Sequence, residues 1–146
     1  MIIVDTGYWL ALANEKDRHH QRALAWLHAL PEPLITTWPV VTETSHLLSR
    51  RIGIRSQTTF LLSLADGASE VFDVHLVHMP RLVELMEKYR DLPMDLADAS
   101  LVLLAEQLEH GRILSTDQRD FRTYRWKQRE PFHNLMLDEP HDYRLK

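Results

Sequence analysis

The 146-residue chain contains no cysteine, so it holds no disulfide framework, no thiolate metal centre and no cysteine nucleophile. Glycine is scarce: four residues, scattered, with no glycine-rich phosphate loop among them. No stretch approaches the about 18 unbroken apolar residues that a membrane helix needs, which excludes a spanning segment. The opening Met1-Ile-Ile-Val-Asp5 lacks the basic flank and small-residue cleavage site of a signal peptide. It reads as a first strand, and a cytoplasmic protein is expected. Internal repeats, low-complexity tracts and long Gly/Ser/Pro linkers are missing too. One domain is therefore expected over residues 1–138, with 139–146 as a loose tail.

Apolar residues make up 45% of the chain, enough for a core without staples. The net charge of −4 argues mildly against a general nucleic-acid coat. Short apolar, β-branched runs predict strands at 2–4, 34–37, 70–74 and 112–115, with a final edge strand at 134–137. Helices are predicted at 7–14, 20–30, 39–52, 56–65, 79–89 and 95–110, the last closed by Gly111 as a C-cap. Residues 117–124 read as a turn or short helix. Strands alternating with helices imply right-handed crossovers and a parallel sheet. The expected architecture is a three-layer α/β/α sandwich with a short central parallel sheet. In such a fold the ligand crevice lies outside the carboxyl ends of the strands.

That rule singles out Asp5, just past the first strand, and Asp117, just past the strand at 112–115. Taken singly, each is explained at least as well as a turn or helix-cap residue. Glu43 is harder to explain locally. It shares a helical face with Val40 and Leu47, so its carboxylate is drawn partly out of water and needs a partner. That partner is an arginine, such as Arg50, Arg51 or Arg55, or a metal ion held with other acids. Asp98 repeats the pattern between Met94 and Val102, in a first helical turn where negative charge suits the dipole. Asp95 is read as the N-cap and Asp98 as the site residue. Four carboxylates at one crevice repel at neutral pH. A hard divalent cation neutralises them, and oxygen-only ligands select magnesium or manganese. Such ions activate water and steady the charge on a phosphodiester, which is nuclease chemistry.

Other side chains carry weaker signals. None of the nine histidines falls in a metal-binding pattern; His75 and His78 read as structural, and His46 is one turn from Glu43. Ser45, Ser100 and Ser115 lack a nucleophile-elbow context. Leu61, Leu62 and Leu64, with Ile52 and Ile54, read as core packing, a dimer contact being the alternative. A receiver-like phosphoacceptor needs a lysine after a late strand, and none follows 112–115.

At the acidic residues the chain resembles the PIN-domain nucleases. Met1-Ile-Ile-Val-Asp5-Thr6 looks like the family's opening, and Thr37-Trp-Pro-Val-Val-Thr-Glu43 like its second block. Asp91-Leu-Pro-Met-Asp-Leu-Ala-Asp98 looks like the third, and Arg112-Ile-Leu-Ser-Thr-Asp117-Gln-Arg-Asp-Phe121 like the last. Each block is weak alone; in the family's order, from Met1 to about Tyr124, they form a fairly specific set. The length resembles that of VapC-like toxins of bacterial toxin–antitoxin pairs. The resemblance implies an endoribonuclease that depends on magnesium, with manganese as a substitute. It carries the catalytic set onto Asp5, Glu43, Asp98 and Asp117. Asp5 and Asp98 are then the main metal ligands, Asp117 completes or tunes the site, and Glu43 acts through water. Thr6 and Thr116 hold carboxylates or substrate, and Asp95 is the alternative to Asp98. A homodimer and a small cognate antitoxin protein are also implied. The competing reading is a PIN-like module that binds RNA or protein without cutting. A complete acidic set favours the enzyme, since a pure binder gains nothing from negative charge near phosphates.

The segment 112–129 carries Arg112, Arg119, Arg122, Arg125, Lys127 and Arg129 against Asp117 and Asp120. Arg119, Arg122 and Arg125 are the foremost candidates for RNA phosphate contacts, with Arg50, Arg51 and Arg55 as a second group. Tyr124 and Trp126 are expected to stack on unpaired bases.

Overall fold

The computed structural model describes residues 1–143. Its elements, in chain order, are β1 (Ile2–Val4), α1 (Thr6–Ala13), α2 (His20–Ala29), β2 (Leu34–Thr37), α3 (Trp38–Arg51), α4 (Ile54–Ala65) and β3 (Glu70–Phe72). There follow α5 (Met79–Lys88), α6 (Leu96–Leu108), β4 (Arg112–Leu114), α7 (Gln118–Thr123), β5 (Arg125–Trp126), β6 (Glu130–Pro131), β7 (His133–Asn134) and α8 (Pro140–Tyr143). Five strands make one parallel sheet in the order β3-β2-β1-β4-β7. Ile2, Ile3 and Val4 in its centre are fully buried, as a strand covered on both faces must be.

From β1 the chain steps outward through β2 to β3, then returns past β1 to β4 and β7. Right-handed crossovers put α1–α4 on one face and α5–α6 on the other. The three-layer α/β/α sandwich follows. α6 packs on β1 and β2 and turns Leu101, Val102, Leu104 and Ala105 into the core with no exposure. The reversal of strand order makes the β1/β4 junction a topological switch point, where an open sheet leaves a crevice. The Asp5 N–H donates to Leu114 O at 3.1 Å, so both strands end together there.

Several boundaries differ from expectation. Gly111 does not cap α6. Glu109 takes the left-handed conformation instead, at φ 60°. Gly111 is required for another reason: a Cβ there would stand 2.6 Å from Trp126 Nε1 and 3.1 Å from Pro131 O. The strand expected at 134–137 is β7 followed by a 3₁₀ turn at Leu135–Leu137, because the Asn134 side chain accepts the Met136 N–H and caps that turn. The β5–β6 hairpin carries no sequence signal, since its left-handed residues are Lys127 and Gln128 rather than Gly or Asn. Glu106 of α6 holds it, accepting from the Lys127 N–H and from Arg81. The core reading of Ile52, Ile54, Leu61 and Leu62 is overturned: all four are exposed, Ile54 by 72%, while Leu64 packs in part against the core. Of the segment expected as a tail, Glu139 pairs with Arg22 at 2.6 Å and Tyr143 packs edge-on against Trp26. Residues 144–146 lie outside the described residues.

Candidate active site

Each of the four sequence-predicted acids sits where a local device puts it. Asp5 ends β1 and caps α1: its Oδ1 accepts the Thr6 N–H at 2.7 Å and its Oδ2 accepts the Ser115 hydroxyl at 2.9 Å. It is buried. Burial pushes its carboxyl up to about 7 against the opposing pull of those two hydrogen bonds, and Glu43 and Asp117 raise it further. Asp98 lies in the first turn of α6, behind the cap Asp95, which accepts the Asp98 N–H at 2.8 Å. Its Oδ2 accepts the Tyr124 hydroxyl at 2.9 Å. Burial, then the charges of Asp5 and Asp95, push Asp98 up to about 8.

Asp117 caps α7, accepting the Asp120 N–H at 3.0 Å, and its own N–H donates to Ser115 Oγ at 2.9 Å. Its carboxyl is raised, mainly by burial. Glu43 projects half-buried from α3 and is raised by burial first and by Asp95 next, while Thr6 and Arg51 oppose the shift. The Thr6 hydroxyl stands beside Glu43 without a partner at full hydrogen-bond geometry.

These four acids line one cleft of about 390 Å³ together with Thr6, Thr116, Asp95, Asp120, Arg51 and Arg119. They come from four separated segments and meet at the switch point. A larger, apolar cavity bounded by Trp9, Leu27 and Phe60 holds Arg55 as its one charged group, and no acid; the chemistry belongs to the acidic cleft. Among the described residues no three His, Asp or Glu side chains are already gathered tightly enough to hold a metal ion. The donor set is nevertheless that of a hard cation: oxygen only, with carboxyls whose burial and mutual repulsion make their anions costly. On donor chemistry, Asp5, Asp98 and Asp117 fit magnesium or manganese.

The structure also recasts the supporting residues. Thr116 lines the cleft with its Oγ1 packed over Gly7, where a Cβ would come within 1.9 Å. Tyr124 cannot stack on a base, since it is fully buried. Trp126 is half-buried: it packs partly against the core and donates its indole N–H to Pro131 O. The Arg125 Nη1 is committed to the carbonyls of Arg122, Thr123 and Tyr124. Arg112 pairs with Glu32 at the far end of the sheet. Arg122 is exposed on α7 outside the cleft lining. Arg119 and Arg51 are the cationic side chains that line it. His46 lines a neighbouring open groove with Trp38 and Leu96, which shares Glu43 and Asp95 with the acidic cleft.

Sequence reasoning missed three residues. Ser115 joins Asp5 to Asp117 through one hydroxyl; a serine two residues before an acidic cap is a turn signal that hints at this. Asn134 brackets Ser115, accepting its N–H and donating to its carbonyl. Across 19 positions of chain, nothing announces that contact. Tyr124 read as a surface aromatic.

A family model described as the PIN domain matches residues 2–127. Ribonuclease VapC26 of Mycobacterium tuberculosis (strain ATCC 25618 / H37Rv) is 27% identical over 124 residues, covering 85% of this chain and 92% of that protein. The 23S rRNA-specific endonuclease VapC20 of Mycobacterium tuberculosis (strain CDC 1551 / Oshkosh) is 41% identical over 56 residues, covering 38% of this chain and 43% of that one. The crystal structure of Mycobacterium tuberculosis VapC20, a sarcin-ricin loop cleaving toxin, matches with a TM-score of 0.75 at 23% identity, over 82% of this chain and 92% of that chain. At that identity the likeness is one of fold.

Proposed function

The chain belongs to the PIN domain family, and from that premise we propose that it is a magnesium-dependent endoribonuclease, the toxin of a toxin–antitoxin pair. The observation that carries the reading is the convergence of Asp5, Glu43, Asp98 and Asp117 on one cleft at the sheet's switch point. The names of its relatives, a ribonuclease and an rRNA endonuclease, support RNA as the substrate.

Asp5, Asp98 and Asp117 would hold the ion. When bound, it supplies counter-charge to the carboxylates, an acidified water, and stabilisation of the charge growing on the phosphodiester. The chain's own residues do the rest. Glu43 orients the attacking water and takes its proton at a carboxylate oxygen. Ser115 and the Thr6 N–H hold Asp5 in one orientation, and Thr6 and Thr116 position carboxylates or substrate from behind. Arg51 and Arg119, on the wall of the cleft, hold flanking phosphates. A homodimer, a small antitoxin protein and a cytoplasmic setting complete the reading. The exposed apolar residues Ile52, Ile54, Leu61 and Leu62 offer a surface for a protein contact.

The test is a labelled RNA pool incubated with magnesium and, separately, with EDTA, using the wild-type protein and Asp98→Asn. Cleavage is expected from the wild type with magnesium alone. Cleavage that persists in EDTA removes the metal from the mechanism. RNA retention without cleavage in every condition favours the non-catalytic binding module.

A further inference from the structure

Tyr124 is closed to the base-stacking role its sequence position suggests. It has no solvent exposure. Tyr89 and Phe121 box its ring edge-to-face, at centroid distances of 5.1 and 5.2 Å. Tyr89 is itself held by the Arg125 N–H, which donates to its hydroxyl at 3.1 Å. So confined, Tyr124 delivers its hydroxyl to Asp98 Oδ2 at 2.9 Å. We propose that Tyr124 is a positioning residue that fixes the Asp98 carboxylate for a divalent cation. This inference rests on the reading of the cleft as a metal-dependent nuclease site.

The physical need is plain from the other acids. Asp5 is oriented by two donors and Asp117 by the Asp120 N–H. Asp98 projects from a helix turn with two rotatable bonds, and the Tyr124 hydroxyl is the donor that orients it. A phenol suits the task better than a cation. It stabilises the carboxylate anion without bringing a positive charge that would compete with the ion. A buried hydroxyl also needs a partner, so the contact is held from both sides. The placement has a further consequence. Asp117 is the N-cap of α7 and Tyr124 its C-cap, so this single short helix couples the Asp117 carboxylate at one end to the Asp98 carboxylate at the other.

The experiment is calorimetric titration of the full chain with Mn²⁺, comparing the wild type with Tyr124→Phe and Trp26→Leu. Tyr124→Phe removes one oxygen and keeps the ring. It is expected to keep the wild-type circular dichroism and to weaken Mn²⁺ binding about tenfold or more, the usual effect of losing a hydrogen bond to a ligand. Trp26→Leu loosens the core at α2, where the buried indole packs against Tyr143 away from the cleft; it is expected to lower Tm while leaving Mn²⁺ affinity within about threefold. If Tyr124→Phe does not fold, Tyr124→Met, whose flexible thioether fills irregular space, is titrated in its place with the same expectation. Wild-type affinity in the hydroxyl-less variant overturns the positioning role alone. Equal weakening in Trp26→Leu also overturns it, because general destabilisation would then explain the effect. No Mn²⁺ binding by the wild type overturns the metal-site reading and the positioning role together.

Discussion

At the scale of single residues, Asp5 and Asp98 carry the site's electrostatic tension. Burial raises both carboxyls, to about 7 and about 8, from a value near 4 in an unfolded chain. A raised carboxyl means that the folded state binds the proton more tightly than the unfolded state does. The stability this contributes is present at acid pH and is lost as pH rises through the folded values. Metal-free protein in EDTA is therefore expected to lose thermal stability between pH 5 and pH 8. Asp98→Asn should flatten that slope and raise Tm at pH 8, since a neutral amide carries no charge to desolvate. Magnesium should raise Tm more at pH 8 than at pH 5. Scanning calorimetry across this range decides the matter: a Tm that stays level or climbs toward pH 8 in EDTA contradicts the burial-raised carboxyls. The tension itself was only partly visible in the sequence. Helical spacing brought Glu43 and Asp98 under suspicion through apolar neighbours, whereas Asp5 and Asp117 were indistinguishable from ordinary caps. They are caps as well; the same carboxylates serve the helix and the cleft.

At the scale of elements, the site is an assembly of helix starts. α1, α6 and α7 begin with Asp5, Asp95 and Asp117 as their N-caps, so helix dipoles converge on the cleft and ease the local excess of negative charge. How closely α1 approaches the β4–α7 turn is set by Gly7, over which Thr116 packs. Gly7→Ala should cost about 1–3 kcal/mol, as overpacking does, and should reduce cleavage by shifting the turn that carries Asp117. Thr116→Ala removes the nearest atom, so the double variant should recover part of the loss, a coupling that urea unfolding can measure. Additive costs would mean that the two side chains do not meet. The helices and central strands were legible because their apolar periodicity is dense: Leu34–Thr37 matches β2 residue for residue. The β5–β6 hairpin was not, because its turn uses Lys127 and Gln128 in left-handed conformations and is held by Glu106 from another element.

At the scale of the molecule, the proposed function asks a chain of net charge −4 to draw in a polyanion, and the cations that matter for it are those near the cleft. Arg51 of α3 and Arg119 of α7 line its wall among the acids. Changing both to Ala is expected to weaken RNA binding and to lower the slope of log affinity against log salt by about 1.4, at about 0.7 per single-strand phosphate contact. Arg125→Ala should instead loosen the end of α7, whose carbonyls it ties, and leave the salt slope alone. Filter binding over a salt series, with Asp98→Asn as the background to prevent cleavage, separates them; an unchanged slope in the Arg51/Arg119 variant removes these residues from the phosphate path.

The sequence by itself determined the order of the long helices and of β1 to β4, and the parallel sandwich they build; the four acids came from it through the family resemblance. The elements follow from periodicity and cap chemistry, which are local along the chain, and the acids from the order of the four resembling blocks. Only the tertiary structure decided which side chains hold the acids. Ser115 ties Asp5 to Asp117, Asn134 grips Ser115 from β7, and Tyr124 turns inward to Asp98. Such contacts join residues far apart in sequence, and a hydroxyl or amide has no periodicity to reveal its partner. The direction a side chain faces is set by the packing around it: Tyr124, beside four arginines and a lysine in sequence, is buried because Tyr89 and Phe121 close over it.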